Sequence, residues 1–356
     1  MSRHSRSPFI GLLAAVLVAA CTSGGATSAP TAIPSSSVVP PATSSAVPSA
    51  GQPVKLVVGL GYIPSVQFAP FYLAQQQGWY AEAGLEVEFQ NKIDPDLITL
   101  VGQGAIDVGI GDGTSVIPAV SQGIPIRYMA TVYGQSPNIV FAKASSGITT
   151  AADLEGRKIG TPGRYGSGWI MLQALLGSAG LTVEDVEIVE YPDFTQRAAV
   201  EQGAVDAATG FANNEPVQLE LDGGPAVVLH VDDIVALPGP GLIVGTSTLD
   251  SKAAAVDAFI ATTLRAMEAV AADPALGLEA AIVAVPELAS AREAQLAVLN
   301  ATIETWTGPV QASNGLGAID TDGWAASIEY LTTLGLVPNP VTVDDLVDAG
   351  FSRSDY

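Results

Sequence analysis

The chain has one cysteine, Cys21, in 356 residues, so it can form no disulfide within itself. It has two histidines, His4 and His230. A terminal cysteine and one histidine in the body do not make a zinc centre. Positive charge is scarce: 14 Lys and Arg stand against 36 Asp and Glu, for a formal net charge of −22. Such a surface repels phosphate backbones and argues against a nucleic-acid partner. The motifs of common enzymes are missing as well. There is no Gly-x-Ser-x-Gly elbow, because "YGSGW" has the wrong spacing. "GLGYIP" lacks the third glycine of a dinucleotide turn, and no Gly-Lys-Ser/Thr follows a glycine run. These absences point away from an enzyme and from any resident metal or cofactor. The apolar stretch near the start, Phe9 to Ala20, is about a dozen residues, short of the roughly 20 that span a bilayer.

What is present begins at that stretch. Arg3 and Arg6 precede it and small residues close it, the pattern of a secretory signal over residues 1–20. "VLVAA" before Cys21 resembles a bacterial lipobox, with Val18 where Leu is more usual. The resemblance implies cleavage before Cys21 and its lipidation, hence anchoring on the outer face of the cell membrane. Residues 21–53 are dominated by Pro, Ser, Thr, Ala and Gly and carry no helical or strand period. A segment of that composition cannot bury enough surface to order itself and serves as a tether. With 48% hydrophobic residues overall, the remainder is ample for a sizeable core.

From Val54 onward, short apolar runs such as "VKLVVGLG", "LEVEFQ" and "AIDVGIG" alternate with longer helical periods. That alternation predicts α/β layering with largely parallel sheets. One unit also recurs. "QGAIDVGIGDGTS" at 103–115 aligns without gaps with "QGAVDAATGFANN" at 202–214, matching Asp107 to Asp206 and Gly111 to Gly210. Upstream, "KLVVGLGYIPS" faces "KIGTPGRYGSG". The fold expected is therefore two lobes built from one repeated strand–helix unit. In open α/β sheets, ligands bind beyond the carboxyl ends of the strands. The residues after Gly111 and Gly210 would then face each other across a cleft. A simpler reading has Asn214 or Glu215 capping a helix with Pro216 in its first turn, and the two readings are compatible.

Candidate pocket residues are Tyr62, Phe68, Asp112, Thr114, Tyr133, Arg164, Tyr165, Ser167, Trp169, Phe211, Asn213, Asn214 and Glu215. The aromatics suit a flat ring, and the amides and carboxylates suit its N–H and C=O edges. Arg164 is the lone cation at a likely site turn, and two unpaired carboxylates would repel an anion. Asp107 and Asp206 are expected to fix turns, and Trp79, Trp306 and Trp324 to pack.

The order of "GYIPSVQFAPFYLAQQQGWYAEAGLEVEF", "LVGQGAIDVGIGDG", "ADLEGRKIGTPGRYGS" and the closing "GAIDTDGWAASIEYLTTLGLVPNPVTVDDLVDAGF" resembles solute-binding lipoproteins of ABC importers. The branch is the one related to thiamine-pyrimidine synthase, which also holds alkanesulfonate, taurine and nitrate binders. The resemblance implies two α/β lobes joined by two crossovers, a type II-like periplasmic-binding-protein fold. With crossings near 141–146 and 241–246, lobe one would be 54–143 plus 244–356 and lobe two 144–243. "GFANNEP" and "PGRYGSGWIMLQALL" are most similar to riboflavin-binding importer components, and next to binders of a thiamine pyrimidine precursor. That likeness implies Asn213, Asn214 and Glu215 on the polar edge of the ring, Tyr62, Tyr165 and Trp169 walling it, and Asp112 and Thr114 approaching from lobe one. The implied partners are a permease and its ATPase, with the binder itself a monomer. A ligand-sensing module and a pyrimidine-forming enzyme are the rival classes; the synthase branch needs a cysteine-rich segment that this chain lacks.

Overall fold

The computed structural model describes residues 52–350 apart from 94, 95, 233, 235 and 236. The expected signal segment, Cys21 and nearly all of the tether lie outside the described residues. Among the described residues, ten strands form two five-stranded sheets. The first sheet takes β1 (Val54–Gly61), β2 (Leu85–Ile93), β3 (Val108–Gly111) and β4 (Ile126–Thr131). The second takes β5 (Asn138–Lys143), β6 (Lys158–Thr161), β7 (Glu187–Glu190), β8 (Ala207–Phe211) and β9 (Ala226–His230). The chain then returns to the first sheet as β10 (Gly241–Gly245).

Strand order exposes the duplication. The sheets run β2-β1-β3-β10-β4 and β7-β6-β8-β5-β9. In each, three parallel strands are followed by one antiparallel strand that arrives from the other lobe. Both sheets are therefore mixed, each by one exchanged strand. This exchange moves the lobe boundaries. The expected boundaries put β5 in lobe one and the start of β10 in lobe two, but pairing assigns each to the opposite sheet. The chain changes sheets between Thr131 and Asn138 and again between His230 and Gly241. A short apolar strand next to a crossover looks the same in sequence on either side of it, and ladder partners decide where it goes.

Strand alternation builds a core on both faces of each sheet. Leu56, Val58 and Leu60 of β1 and Leu242 and Val244 of β10 face one lobe-one core with Phe71, Phe259 and Trp306. Ile243 faces the other, with Tyr128 and Trp324. In lobe two, Val140 and Ala142 face the core under the helix Gly166–Ser178, whereas Ile139 and Phe141 face the opposite one. Trp306 and Trp324 are buried, as expected of packing residues. Trp79 is partly buried, and the Arg265 guanidinium lies 4.0 Å from its ring centroid.

Asp107 and Asp206 hold equivalent joints. Asp107 accepts from the Val57 N–H at 2.9 Å and returns its own N–H to the Val57 carbonyl. Asp206 makes the same exchange with Lys158, at 2.8 Å. Each joint follows a glycine in the left-handed region, Gly104 (φ 71°) or Gly203 (φ 72°). The turn-fixing role expected for these carboxylates is the one the structure shows. Among the described residues, no helix is long and apolar enough to cross a membrane.

Candidate ligand-binding cleft

The carboxyl ends of β1, β3, β6 and β8 converge on a cavity of about 190 Å³ between the sheets. Lobe one contributes Leu60, Phe68 and Ile110 together with Tyr62, Gln67, Asp112 and Ser115. Lobe two contributes Thr161, Tyr165, Ser167, Trp169, Phe194, Gln196, Thr209, Phe211, Asn214 and Glu215. Tyr133 and Pro240 line it from the two crossings. Ten of the expected residues thus meet here: Tyr62, Phe68, Asp112, Tyr133, Tyr165, Ser167, Trp169, Phe211, Asn214 and Glu215. The first turn of the helix Gly166–Ser178 also lines the cavity and has no side-chain cap, leaving its N–H groups as potential donors.

Three expected residues are not among the lining residues. Thr114 turns its hydroxyl onto Asp112 Oδ1 at 2.6 Å. Arg164 is exposed, pairs with Glu190 at 3.1 Å and lies 5.2 Å from the Trp169 ring centroid. Its partner Glu190 closes β7 and is itself half exposed. Asn213 is buried and joins the lobes, donating to Gln67 Oε1 at 2.9 Å and to Thr302 Oγ1 at 2.8 Å.

The lobes touch at further points. The Tyr62 and Phe194 rings meet edge to face, with centroids 5.1 Å apart. Phe194 holds this position with φ of 60°, a left-handed backbone that costs a non-glycine residue about 1 kcal/mol or more. The Tyr62 hydroxyl interacts with Asn214, and Ser167 with Asp112. Tyr133 donates to Gln67 Oε1 at 3.3 Å and lies against Asn213.

The two buried carboxylates hold the two loops in different ways. Asp112 caps the helix Gly113–Ser121 by accepting from the Thr114 and Ser115 N–H groups at 3.0 and 3.1 Å. Glu215 instead folds back and accepts from the Phe211 N–H at 2.8 Å. Asn214 makes no side-chain cap; its Oδ1 accepts from Gln218 Nε2 at 2.7 Å, and Pro216 occupies the first helical turn. In place of the capping expected of Asn214 or Glu215, Glu215 bonds back to the loop at Phe211 and Asn214 bonds the helix side chain of Gln218. Burial pushes both carboxyls above the ordinary carboxylate range, against the hydrogen bonds that lower them. Burial likewise raises the Tyr62 hydroxyl, with Glu215 adding to the rise.

Sequence reasoning missed Gln67, Asn138, Phe194, Gln196 and Thr209. Phe194 and Gln196 follow the carboxyl end of β7, so the strand-end rule applied to every strand would have found them. Asn138 opens the antiparallel β5, whose first residue pairs with Phe211 at the cleft end of β8. No sequence signal placed that strand start at the cleft.

Comparison with known proteins places these features in a family. Residues 65–276 match the family model described as NMT1/THI5 like. The chain is 32% identical over 338 residues to riboflavin-binding protein RibY of Chloroflexus aurantiacus, covering 94% of both chains. It is 27% identical over 179 residues to a 4-amino-5-hydroxymethyl-2-methylpyrimidine phosphate synthase of Legionella pneumophila, covering 50% of this chain and 56% of that one. Among solved structures, the alkanesulfonate-binding protein SsuA of Xanthomonas axonopodis, bound to MOPS, superposes with a TM-score of 0.64. Its identity is 19%, covering 84% of this chain and 99% of that one, a likeness of fold.

Proposed function

The chain belongs to the NMT1/THI5-like family, and from that premise we propose that it is a solute-binding protein of an ABC importer that captures riboflavin. One observation carries the reading. The cavity joins aromatic walls from both lobes to buried amides and carboxylates, and its described lining residues include no Lys, Arg or His. A sulfonate or nitrate would meet Asp112 and Glu215 with no cation among the described lining residues to pair with it. A flat neutral ring gains about 0.5–1.5 kcal/mol per aromatic contact beyond its burial. Its carbonyls can take the N–H groups at the start of Gly166–Ser178, and its N–H groups can meet the amide oxygens. The relation to a riboflavin-binding protein along nearly the whole chain supports the same ligand.

In this reading the two lobes close on the ligand and a permease with its ATPase recognises the closed form. The binder works as a monomer on the outer face of the cell membrane, anchored through lipid on Cys21. Incorporation of labelled palmitate, lost in Cys21→Ala, tests that anchor. A thiamine pyrimidine precursor is the second reading, favoured by the partial similarity to pyrimidine phosphate synthases. The chain spans about half the length of such relatives, and the cavity's described lining residues include neither His nor Cys to serve as their chemistry would need.

The test is titration with riboflavin, an aminopyrimidine, taurine and nitrate, following flavin fluorescence and melting temperature. Riboflavin should be quenched at one equivalent, and at about 100 times Kd it should stabilise the fold by about 2.7 kcal/mol. Riboflavin without quenching or thermal shift, or a shift with taurine or nitrate, overturns the reading.

A further inference from the structure

We infer that Gln196, seconded by Asn138, is the specificity-determining acceptor of the cleft and that it selects ligands presenting a ring N–H of lactam or imide type. This deepens the riboflavin reading and rests on it for the identity of the probe. Both side chains line the cavity and are almost fully buried, at 1% and 2% exposure. Gln196 Oε1 and Asn138 Oδ1 have no hydrogen-bond partner among the described residues. A buried amide oxygen left unpaired is costly, and native structures satisfy nearly all such atoms.

The identity of the free atom on Gln196 follows from its neighbour. Its Nε2 faces the Thr209 carbonyl at 3.4 Å, and a carbonyl can only accept. Nitrogen must therefore point to Thr209, and the oxygen is the atom left without a partner in a residue that lines the cavity. Asn138 Nδ2 donates to Ser136 Oγ at 3.4 Å, and its oxygen too is without a partner. The threonine hydroxyls beside Gln196 do not compete for its oxygen. Thr209 donates to Thr161 Oγ1 at 3.2 Å, and Thr161 donates to the Gly163 carbonyl at 3.1 Å. The lobe-two wall thus lacks a partner that brings donors, and the ligand supplies it. Gln196 reaches this place because Gly160 sits beneath it: a Cβ there would lie 3.3 Å from Gln196 Cβ.

The test compares riboflavin with 3-methylriboflavin, which replaces the imide N–H by a methyl group, on the full chain and on Gln196→Met. The wild type should bind riboflavin about 10- to 100-fold more tightly than the methylated form. Methionine keeps the length and removes the acceptor, so in the variant this preference should fall several-fold. A purely steric penalty would survive that change and would overturn the inference. Equal binding of the two flavins by the wild type overturns it as well, while leaving riboflavin capture intact. If an aminopyrimidine binds and riboflavin does not, the riboflavin reading fails, and because that ring carries no lactam or imide N–H the inference is overturned with it.

Discussion

The two lobes share strand order, an exchanged antiparallel strand and an aspartate joint, yet they meet the cleft with different chemistry. Lobe one follows β3 with Asp112, which caps the next helix at once. Lobe two follows β8 with a looped Ala212, Asn213 and Asn214 before its helix begins at Glu215. The first arrangement leaves a mostly apolar wall, and the second leaves amides and a carboxylate facing inward. Repetition preserved the joints that hold the sheets, and divergence fell in the loops beyond the strands. Loops at strand ends can change without disturbing ladder hydrogen bonds or cores, which is why function gathers there.

The aspartate joints give the sharpest contrast between the lobes. The Asp107 side chain is 10% exposed and pairs with Lys252 at 2.8 Å; that of Asp206 is 40% exposed, with Arg157 at 3.8 Å. Asp107→Ala should therefore cost about 2–3 kcal/mol in denaturant unfolding, and Asp206→Ala about 1 kcal/mol or less. Equal costs would mean that the joints are energetically interchangeable. Next in size is the bond between the lobes. Asn213→Ala removes both Gln67 and Thr302 contacts and should weaken riboflavin binding about tenfold, chiefly through faster release. Unchanged release rates would show that Asn213 does not hold the lobes together.

A smaller, pH-graded effect separates the carboxylates that line the cleft from those on the surface. Glu215 is raised by burial, so the folded form keeps its proton to higher pH than the unfolded chain does. Its contribution to stability is complete below the ordinary carboxylate range and is lost as pH rises through the folded value. Asp153, held by Thr149 and Thr150 and lowered to about 2, behaves oppositely: its contribution is present above the ordinary range and is lost on strong acidification. Glu215→Gln should thus gain stability relative to the parent as pH rises from about 4 to about 8, measured without ligand. A difference that does not vary with pH contradicts this. Smallest of all, Arg164→Ala should change stability by less than about 0.5 kcal/mol and leave binding unaltered, because its ion pair is exposed.

Much of this arrangement is legible in the sequence. Hydrophobic alternation announced the strands, the repeat announced two lobes, and the strand-end rule brought Tyr62, Asp112, Phe211 and Glu215 to one place. Thr114 and Arg164 show the limit, since pattern does not say whether a side chain turns to its own loop, to a neighbouring strand or to the cavity. Asn138 shows a deeper one. Its position depends on β5 crossing into the other sheet, a long-range pairing with no local signature. Asn213, expected on the polar edge of the ring, bonds Gln67 and Thr302, and a bond between lobes is invisible to reasoning within one repeat.

The most direct measurement is a crystal structure of the chain with riboflavin. The account predicts the ring between the lobes, against Trp169 and Phe68, with its N–H edge on Gln196. Density for the flavin outside the cleft, or a cleft left empty at saturating riboflavin, would contradict it.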